Sequence, residues 1–248
     1  TIGETLRFPL RNHKIPLLTT KKMAWKACLY ELLWFIRGET DNRLLLKDIV
    51  RIWSPNASRE FLDSRGLYHL EEHDLGPIYG HQWRNFNAPY KNCHENYADK
   101  GVDQLQNIVD SLKSTTERSS RRLILSAWNP LQLDEMALPP CHILAQFNVI
   151  GNSLSCSLYQ RSGDVGLGVP FNIASYSLLT HLIARHCNLE PAEFVYYLGN
   201  PPTYGNPPTY GKAPPYPKRA NEPEPARECN RRREGSRGGG GGGGGGGG

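Results

Sequence analysis

In "ALPPCH" (137–142) a cysteine, Cys141, follows two prolines and precedes a histidine. A thiol there is either a small apolar filler at a strand edge or, with positive charge beside it, a nucleophile. Its company decides. "HILAQFNVI" and "SLSCSLYQR" are strand-like runs separated only by Gly151 and Asn152, the length and chemistry of a tight hairpin. With Ile150 facing Ser153, regular pairing sets Cys141 opposite Ser162 and diagonal to Arg161, and a bulge would shift this by one residue. A guanidinium that close favours thiolate over thiol and predicts a lowered Cys141 pKa. Successive strand side chains point to opposite faces, so His142, continuing the strand, cannot serve as base for Cys141. A simple Cys-His hydrolase is thereby disfavoured.

Other residues offer complementary chemistry. Glu31 lies in "KMAWKACLYELLWFI" (22–36), with Ala27, Cys28, Trp34 and Phe35 as its helical neighbours. It either reaches solvent or sits in apolar surroundings with a raised pKa, suited to moving protons near neutral pH. Arg121 and Arg122 open "RRLILSAW", read as a strand; they are solvated edge charges or a bidentate grip on a phosphate. "RSGDVGLGVPFN" (161–172) places three glycines and a proline ahead of a helix, a turn that can receive an anion on backbone N–H groups while matching neither a Walker loop nor a dinucleotide fingerprint. Ser162, Asp164 and Asn172 add polar side chains close to the expected Cys141–Arg161 pair. "LGPIYGHQWRNF" (75–86) reads as a loop packed by its own aromatics or as the aromatic wall of a cleft.

The elements that must hold these groups are a buried helix over 22–36 stopped at Gly38, an amphipathic helix over 101–114 with Val102, Leu105, Ile108, Val109 and Leu112 on one face, the 142–161 hairpin, a helix over 171–186 starting near Pro170, and a last strand "EFVYYL" (193–198). Together they give an α+β domain, a mixed sheet with flanking helices, over residues 1–200. Residues 201–248 hold nine of the 19 prolines and 14 of the 25 glycines, so they cannot build a core and are expected to be a disordered tail. Eight of the 29 basic residues also fall there against four of the 24 acidic ones, so residues 1–200 are close to neutral and the overall charge of +5 says little about their partners. "CNRRREGSRGG" is a solvated basic tail or a weak contact for nucleic acid. Six cysteines without CxxC spacing, no signal peptide and no membrane-length apolar run predict a reduced, cytoplasmic chain with no metal and no membrane.

"ELLWFIRG", "DLGPIYGHQWR", "RRLILSAWNP", "LPPCH" and "YQRSGDVGLGVPFNIASY" together resemble the thymidylate synthase family, in that family's chain order, over about Arg7 to Gly199. The resemblance implies reductive methylation of dUMP to dTMP, with 5,10-methylenetetrahydrofolate as co-substrate. It makes Cys141 the nucleophile, Glu31 the proton-handling carboxyl, and Tyr79 and His142 members of its hydrogen-bond network. Asn172 would recognise the uracil edge. Arg161 and Ser162 would hold the dUMP phosphate, with Gln160, Gly163 and Asp164 in the same cluster and Tyr204 a further dUMP ligand. Asp164, Ile52, Trp53, Leu167, Gly168 and Phe171 would form the folate site. Arg121 and Arg122 would reach the phosphate of a neighbouring subunit, which implies a homodimer.

The resemblance also carries departures. The family's basic loop "RTGTG" would precede Thr1, and where the family reads Gly-Asp-x-His-x-Tyr-x-Asn this chain reads "GNPPTYGN", with Asn200 and Pro202 replacing the aspartate and histidine. "NPPTYG" then occurs twice (200–205 and 206–211), as expected of a fragment joined to unrelated coding sequence. The alternatives are a deoxycytidylate hydroxymethylase, against which Asn172 stands because an aspartate there would suit cytosine, and an inactive, regulatory or RNA-contacting member of the same family.

Overall fold

The computed structural model describes residues 3–200, and the disordered tail expected over 201–248, like the role expected of Tyr204, lies outside them. Five strands form one mixed sheet in the order β1-β5-β4-β3-β2: β1 (Glu4–Pro9), β2 (Ile124–Ser126), β3 (His142–Ile150), β4 (Ser153–Ser162) and β5 (Glu190–Asn200). Neighbours run antiparallel except β4 and β5, which are parallel and joined through α6 (Gly168–His186). The other helices are α1 (Trp25–Ile36), α2 (Asn42–Lys47), α3 (Arg59–Ser64), α4 (Tyr79–Asn85) and α5 (Gln104–Lys113). The expected α+β class holds. No helix among the described residues is long and apolar enough to cross a membrane.

The hairpin forms as its turn dictates. Gly151 takes φ +60°, Ile150 faces Ser153, and the regular register continues to Leu144 opposite Tyr159. There it slips: His142 pairs with Gln160, so Ile143 is an extra residue, and Ile143 and Leu144 both lie half-exposed between buried His142 and Ala145. Cys141 therefore faces Arg161, whose backbone N–H donates to the Cys141 carbonyl at 2.9 Å, and not Ser162 as regular pairing predicts.

α1 starts three residues later than its sequence pattern and ends as expected, with Gly38 at φ +78°. It buries Cys28, Glu31, Leu32, Trp34 and Phe35. α5 is capped by Asp103, which accepts from the Gln106 N–H, and buries Leu105, Ile108 and Leu112; Val102 falls before the helix and stays exposed. α4 occupies the stretch read as loop. Gly80 permits it, because a Cβ there would stand 2.6 Å from the Glu39 carbonyl oxygen, so the chain after α1 packs directly on α4 backbone. The predicted strand at 121–128 shrinks to Ile124–Ser126, leaving Arg121 and Arg122 in the preceding turn. β1 had no counterpart in the sequence reading. Trp34, Trp83, Phe147, Phe194 and Tyr196, all almost fully buried, form the centre of the core between the sheet and α1, α4 and α6.

Candidate active site

The site assembles at the end of the sheet where β3 begins and β4 ends. The bulge turns Cys141 and Arg161 to the same side, and Arg161 Nη2 lies 3.8 Å from the Cys141 sulfur. Arg161 is fixed by uncharged partners: Nε donates to the Pro140 carbonyl at 2.8 Å, Nη2 donates to that of Pro139 at 3.1 Å, and the guanidinium lies 5.7 Å from the centre of the Trp128 ring. Its positive charge has no carboxylate among these contacts. Cys141 is half-buried, and its backbone N–H donates to the Tyr79 hydroxyl at 2.7 Å.

The expectation of a lowered Cys141 pKa is corrected here. Burial raises the thiol above its ordinary value, and Arg161 pulls it down only in part. The residue is thus a thiol with a thiolate-stabilising partner in place, not one already held ionised.

His142 faces the core, opposite to Cys141, because the Ile143 bulge shifts the alternation of β3 by one residue. Its ring stacks on Tyr79 with centroids 3.9 Å apart, and its Nδ1 lies 2.7 Å from the Tyr176 hydroxyl. Burial pushes its pKa down to about 3, so the ring is neutral. Among the described residues no histidine hydrogen-bonds the Cys141 sulfur, which removes the hydrolase alternative.

Glu31 is the buried carboxyl the sequence offered as one of two readings. It is 8% exposed, Trp53 Nε1 donates to its Oε1 at 2.7 Å, and burial raises its pKa to about 7 against the smaller lowering effect of that bond. A carboxyl titrating there can both hold and release a proton at neutral pH. Phe35, Trp53 and Tyr79 form a continuous aromatic cluster beside it, with Phe35 and Tyr79 also in contact with His142.

On the other side of Cys141, Gln160 Nε2 donates to the Ser162 carbonyl at 2.9 Å and to Asn172 Oδ1 at 3.1 Å, joining the end of β4 to α6. Gln160 Oε1 is buried without a partner. Gly163 leaves room for this approach, since a Cβ there would meet Gln160 Nε2 at 2.6 Å and Val169 Cγ2 at 2.8 Å and push the amide from its partners. Asp164 orders the turn before α6 by accepting from the N–H groups of Gly166 and Leu167 at 2.8 and 2.9 Å. Ile52 and Leu167 are exposed apolar side chains, Phe171 is half-covered, and a Cβ on Gly168 would meet Asn172 Oδ1 in ordinary contact at 3.9 Å.

Arg121 and Arg122 are not brought to this site. Through the β2–β3 register Arg122 lies level with Asn148 and Arg121 with Val149, roughly 25 Å along β3 from Cys141 at ~3.3 Å per residue, and both are exposed. A cavity of about 740 Å³ lies elsewhere too, lined by Arg37, Asp41, Arg84, Cys93 and Lys100 among others, and contains none of the expected site residues.

The sequence reading missed Tyr176 and Trp128. Tyr176 is one helical turn after Asn172 in "FNIASY" and shares its face, a spacing that could have found it. Trp128 follows the short strand β2, and nothing local marks it as the surface under Arg161.

The chain matches the family described as Thymidylate synthase over residues 1–230, further into the tail than the motifs alone carry the likeness. It is 58% identical over 202 residues to a bifunctional dihydrofolate reductase-thymidylate synthase of Plasmodium berghei, covering 82% of this chain and 34% of that protein. To the bifunctional protein of Zea mays it is 55% identical over 202 residues, with 82% and 38% covered. To the thymidylate synthase of Equine herpesvirus 2 it is 54% identical over 202 residues, with 82% and 69% covered. The chain thus spans about a third of the length of the bifunctional relatives. Matched across most of its length and built on the sheet and flanking helices expected for it, this chain belongs to the thymidylate synthase family.

Proposed function

We propose that the chain converts dUMP to dTMP by reductive methylation through a covalent intermediate on Cys141. The observation that carries this is Arg161, pinned on neutral carbonyls with its charge 3.8 Å from the Cys141 sulfur. As the thiol loses its proton, the guanidinium stabilises the sulfur anion, which then adds to C6 of the uracil. The new bond removes the 5,6 double bond, moves charge toward O4 and makes C5 nucleophilic, splitting one hard substitution into easier steps. 5,10-Methylenetetrahydrofolate, a co-substrate, supplies the one-carbon unit and the hydride. Glu31 handles protons on the buried side, with a pKa suited to both directions of transfer.

With its Oδ1 accepting from Gln160, Asn172 keeps its amide N–H groups to donate to O4 of uracil, an acceptor where cytosine has an amine. This favours uracil over cytosine. Arg161 and Ser162 at the end of β4 receive the phosphate, with Gly163 and Asp164 shaping the turn. Ile52, Trp53, Leu167, Gly168 and Phe171 take the folate. Arg121 and Arg122, far from their own Cys141, serve the phosphate of a second copy in a homodimer. The free cysteines among the described residues fit a reducing compartment, the cytoplasm.

Intact mass after incubation with 5-fluoro-dUMP and methylenetetrahydrofolate tests the reading. A one-to-one adduct absent from Cys141→Ser is expected. Nucleotide binding without adduct rejects catalysis, and tighter binding of dCMP than dUMP rejects the substrate.

A further inference from the structure

A second cluster, on segments separate from Cys141, brings a thiol, an imidazole and carboxylates together. Ligand atoms of Asp41, Cys93 and His94 lie within 4.8 Å of one another. Glu71 joins them: its Oε1 is 3.5 Å from the Cys93 sulfur and in hydrogen-bond contact with His94 Nε2. All four side chains converge on the guanidinium of Arg43. Its Nε donates to Asp41 Oδ1 at 2.8 Å, and its Nη2 contacts Glu71, His94 Nε2 at 3.2 Å and the Cys93 sulfur at 3.6 Å. The donors are thus already gathered around one positive charge.

We propose that Asp41, Glu71, Cys93 and His94 form a binding site for a divalent transition-metal ion of the zinc class, in competition with Arg43. Sulfur and imidazole nitrogen beside carboxylates select zinc-class ions over magnesium or calcium, which take all-oxygen sets. Bonds of about 2.0–2.3 Å in a tetrahedral site put neighbouring ligand atoms about 3.3–3.8 Å apart, so only small side-chain rotations are required. The Arg43 side chain is 38% exposed and can turn to water once it leaves Glu71 and both oxygens of Asp41, so the ion must displace it from that network. Asp41 Oδ1 already caps α2 by accepting from the Arg43 N–H at 2.9 Å, so Oδ2, which now accepts from Arg43 Nε at 3.0 Å, is the oxygen freed for the ion when Arg43 turns away. The Cys93 backbone is anchored independently, its N–H donating to buried Asp74 Oδ2 at 2.9 Å. The cavity of about 740 Å³ is lined by both Asp41 and Cys93 and gives an ion a way in. Bound there, the ion would tie the start of α2 to the segments around residues 71 and 93. The ligands come from three separate segments with no CxxC spacing, which is why no metal is expected from the sequence alone.

Titrating the full chain with Co²⁺ tests the site. One equivalent is expected to give tetrahedral visible bands and a sulfur-to-cobalt charge-transfer absorption, both displaced by Zn²⁺. Cys93→Ser should abolish the charge-transfer band and weaken affinity on the order of 100-fold or more, at least what loss of an outer-shell partner costs. Cys141→Ser should keep both, and Arg43→Ala should bind Co²⁺ more tightly. A band that survives Cys93→Ser, a band lost only with Cys229→Ser, or the lack of any band would overturn the proposal.

Discussion

Two half-buried cysteines of this chain each lie beside an arginine, and their surroundings suit them to opposite tasks. Arg161 is 3.8 Å from the Cys141 sulfur and Arg43 is 3.6 Å from that of Cys93. Arg161 is otherwise bound to carbonyl oxygens, so its charge is available to the sulfur. Arg43 is bound to Asp41 and Glu71, which neutralise it. Burial raises both thiols, but at Cys141 only Arg161 acts against it, whereas Asp74, Asp41 and Glu71 push Cys93 further, to about 12. Proximity of an arginine alone therefore does not favour a thiolate; an arginine whose charge is left uncompensated at least acts against the effect of burial. Carboxyls differ between the two corners as well. Glu71, in water, is held below its ordinary range by Arg43, while Glu31, buried near Cys141, is raised to about 7.

The contrast breaks first at Arg161. Arg161→Met should cost on the order of 10²–10³ in kcat/KM, the scale of losing one preorganised electrostatic partner, and should slow alkylation of Cys141. An unchanged alkylation rate would dissolve the distinction between the two corners.

Glu31 sharpens it through stability. Its folded pKa of about 7 lies above the ordinary 4.5, so the folded chain keeps a proton that the unfolded chain gives up between these values. Stability from this group is fully present below about pH 4.5 and is lost as pH rises through 7, amounting to about 3 kcal/mol at most. Glu31→Gln should therefore match the parent chain at pH 4 and gain up to about 3 kcal/mol at pH 8 in urea unfolding. A difference independent of pH would mean that the carboxyl is solvated.

At the other corner, Glu71→Gln removes one of the charges opposing ionisation of Cys93. Iodoacetamide labelling of that residue at pH 8, followed by peptide mass, should accelerate roughly threefold to tenfold. Slower labelling would reverse the assigned electrostatics. The smallest effect is expected at Trp128, whose ring lies under Arg161. Trp128→Leu gives up about 0.5–1 kcal/mol of cation–π attraction and should lower kcat/KM about twofold to fivefold.

Much of this was legible because the chemistry is carried by short, locally determined elements. Gly151-Asn152 sets the hairpin and brings residues 141 and 161 to the same end of it, the Ile143 bulge then turning them to one face, and the apolar neighbours of Glu31 in α1 foreshadow its raised pKa. What stayed hidden depends on distant packing. α4 contains Gly80 and follows Pro77, poor helix signals, and its backbone lies directly against residues 38 and 39. The Cys141 thiol is raised because burial, which no spacing reveals, outweighs the arginine that spacing does reveal. Arg121 and Arg122 look like strand residues, yet pairing with β3 begins only at Ile124.

Ile143 has a consequence larger than its own side chain. Upstream of it, a single surplus residue decides which face of the ribbon each neighbour presents: with it, His142 packs on Tyr79 and Cys141 meets Arg161. Regular pairing of the same residues, without the bulge, would keep the turn and the lower rungs of the ladder but trade the two side chains, sending the sulfur inward and the imidazole out. The placement of sulfur and imidazole is thus set by parity, and forcing residues 142–144 into the regular register would part Cys141 from Arg161 while leaving most of the scaffold standing.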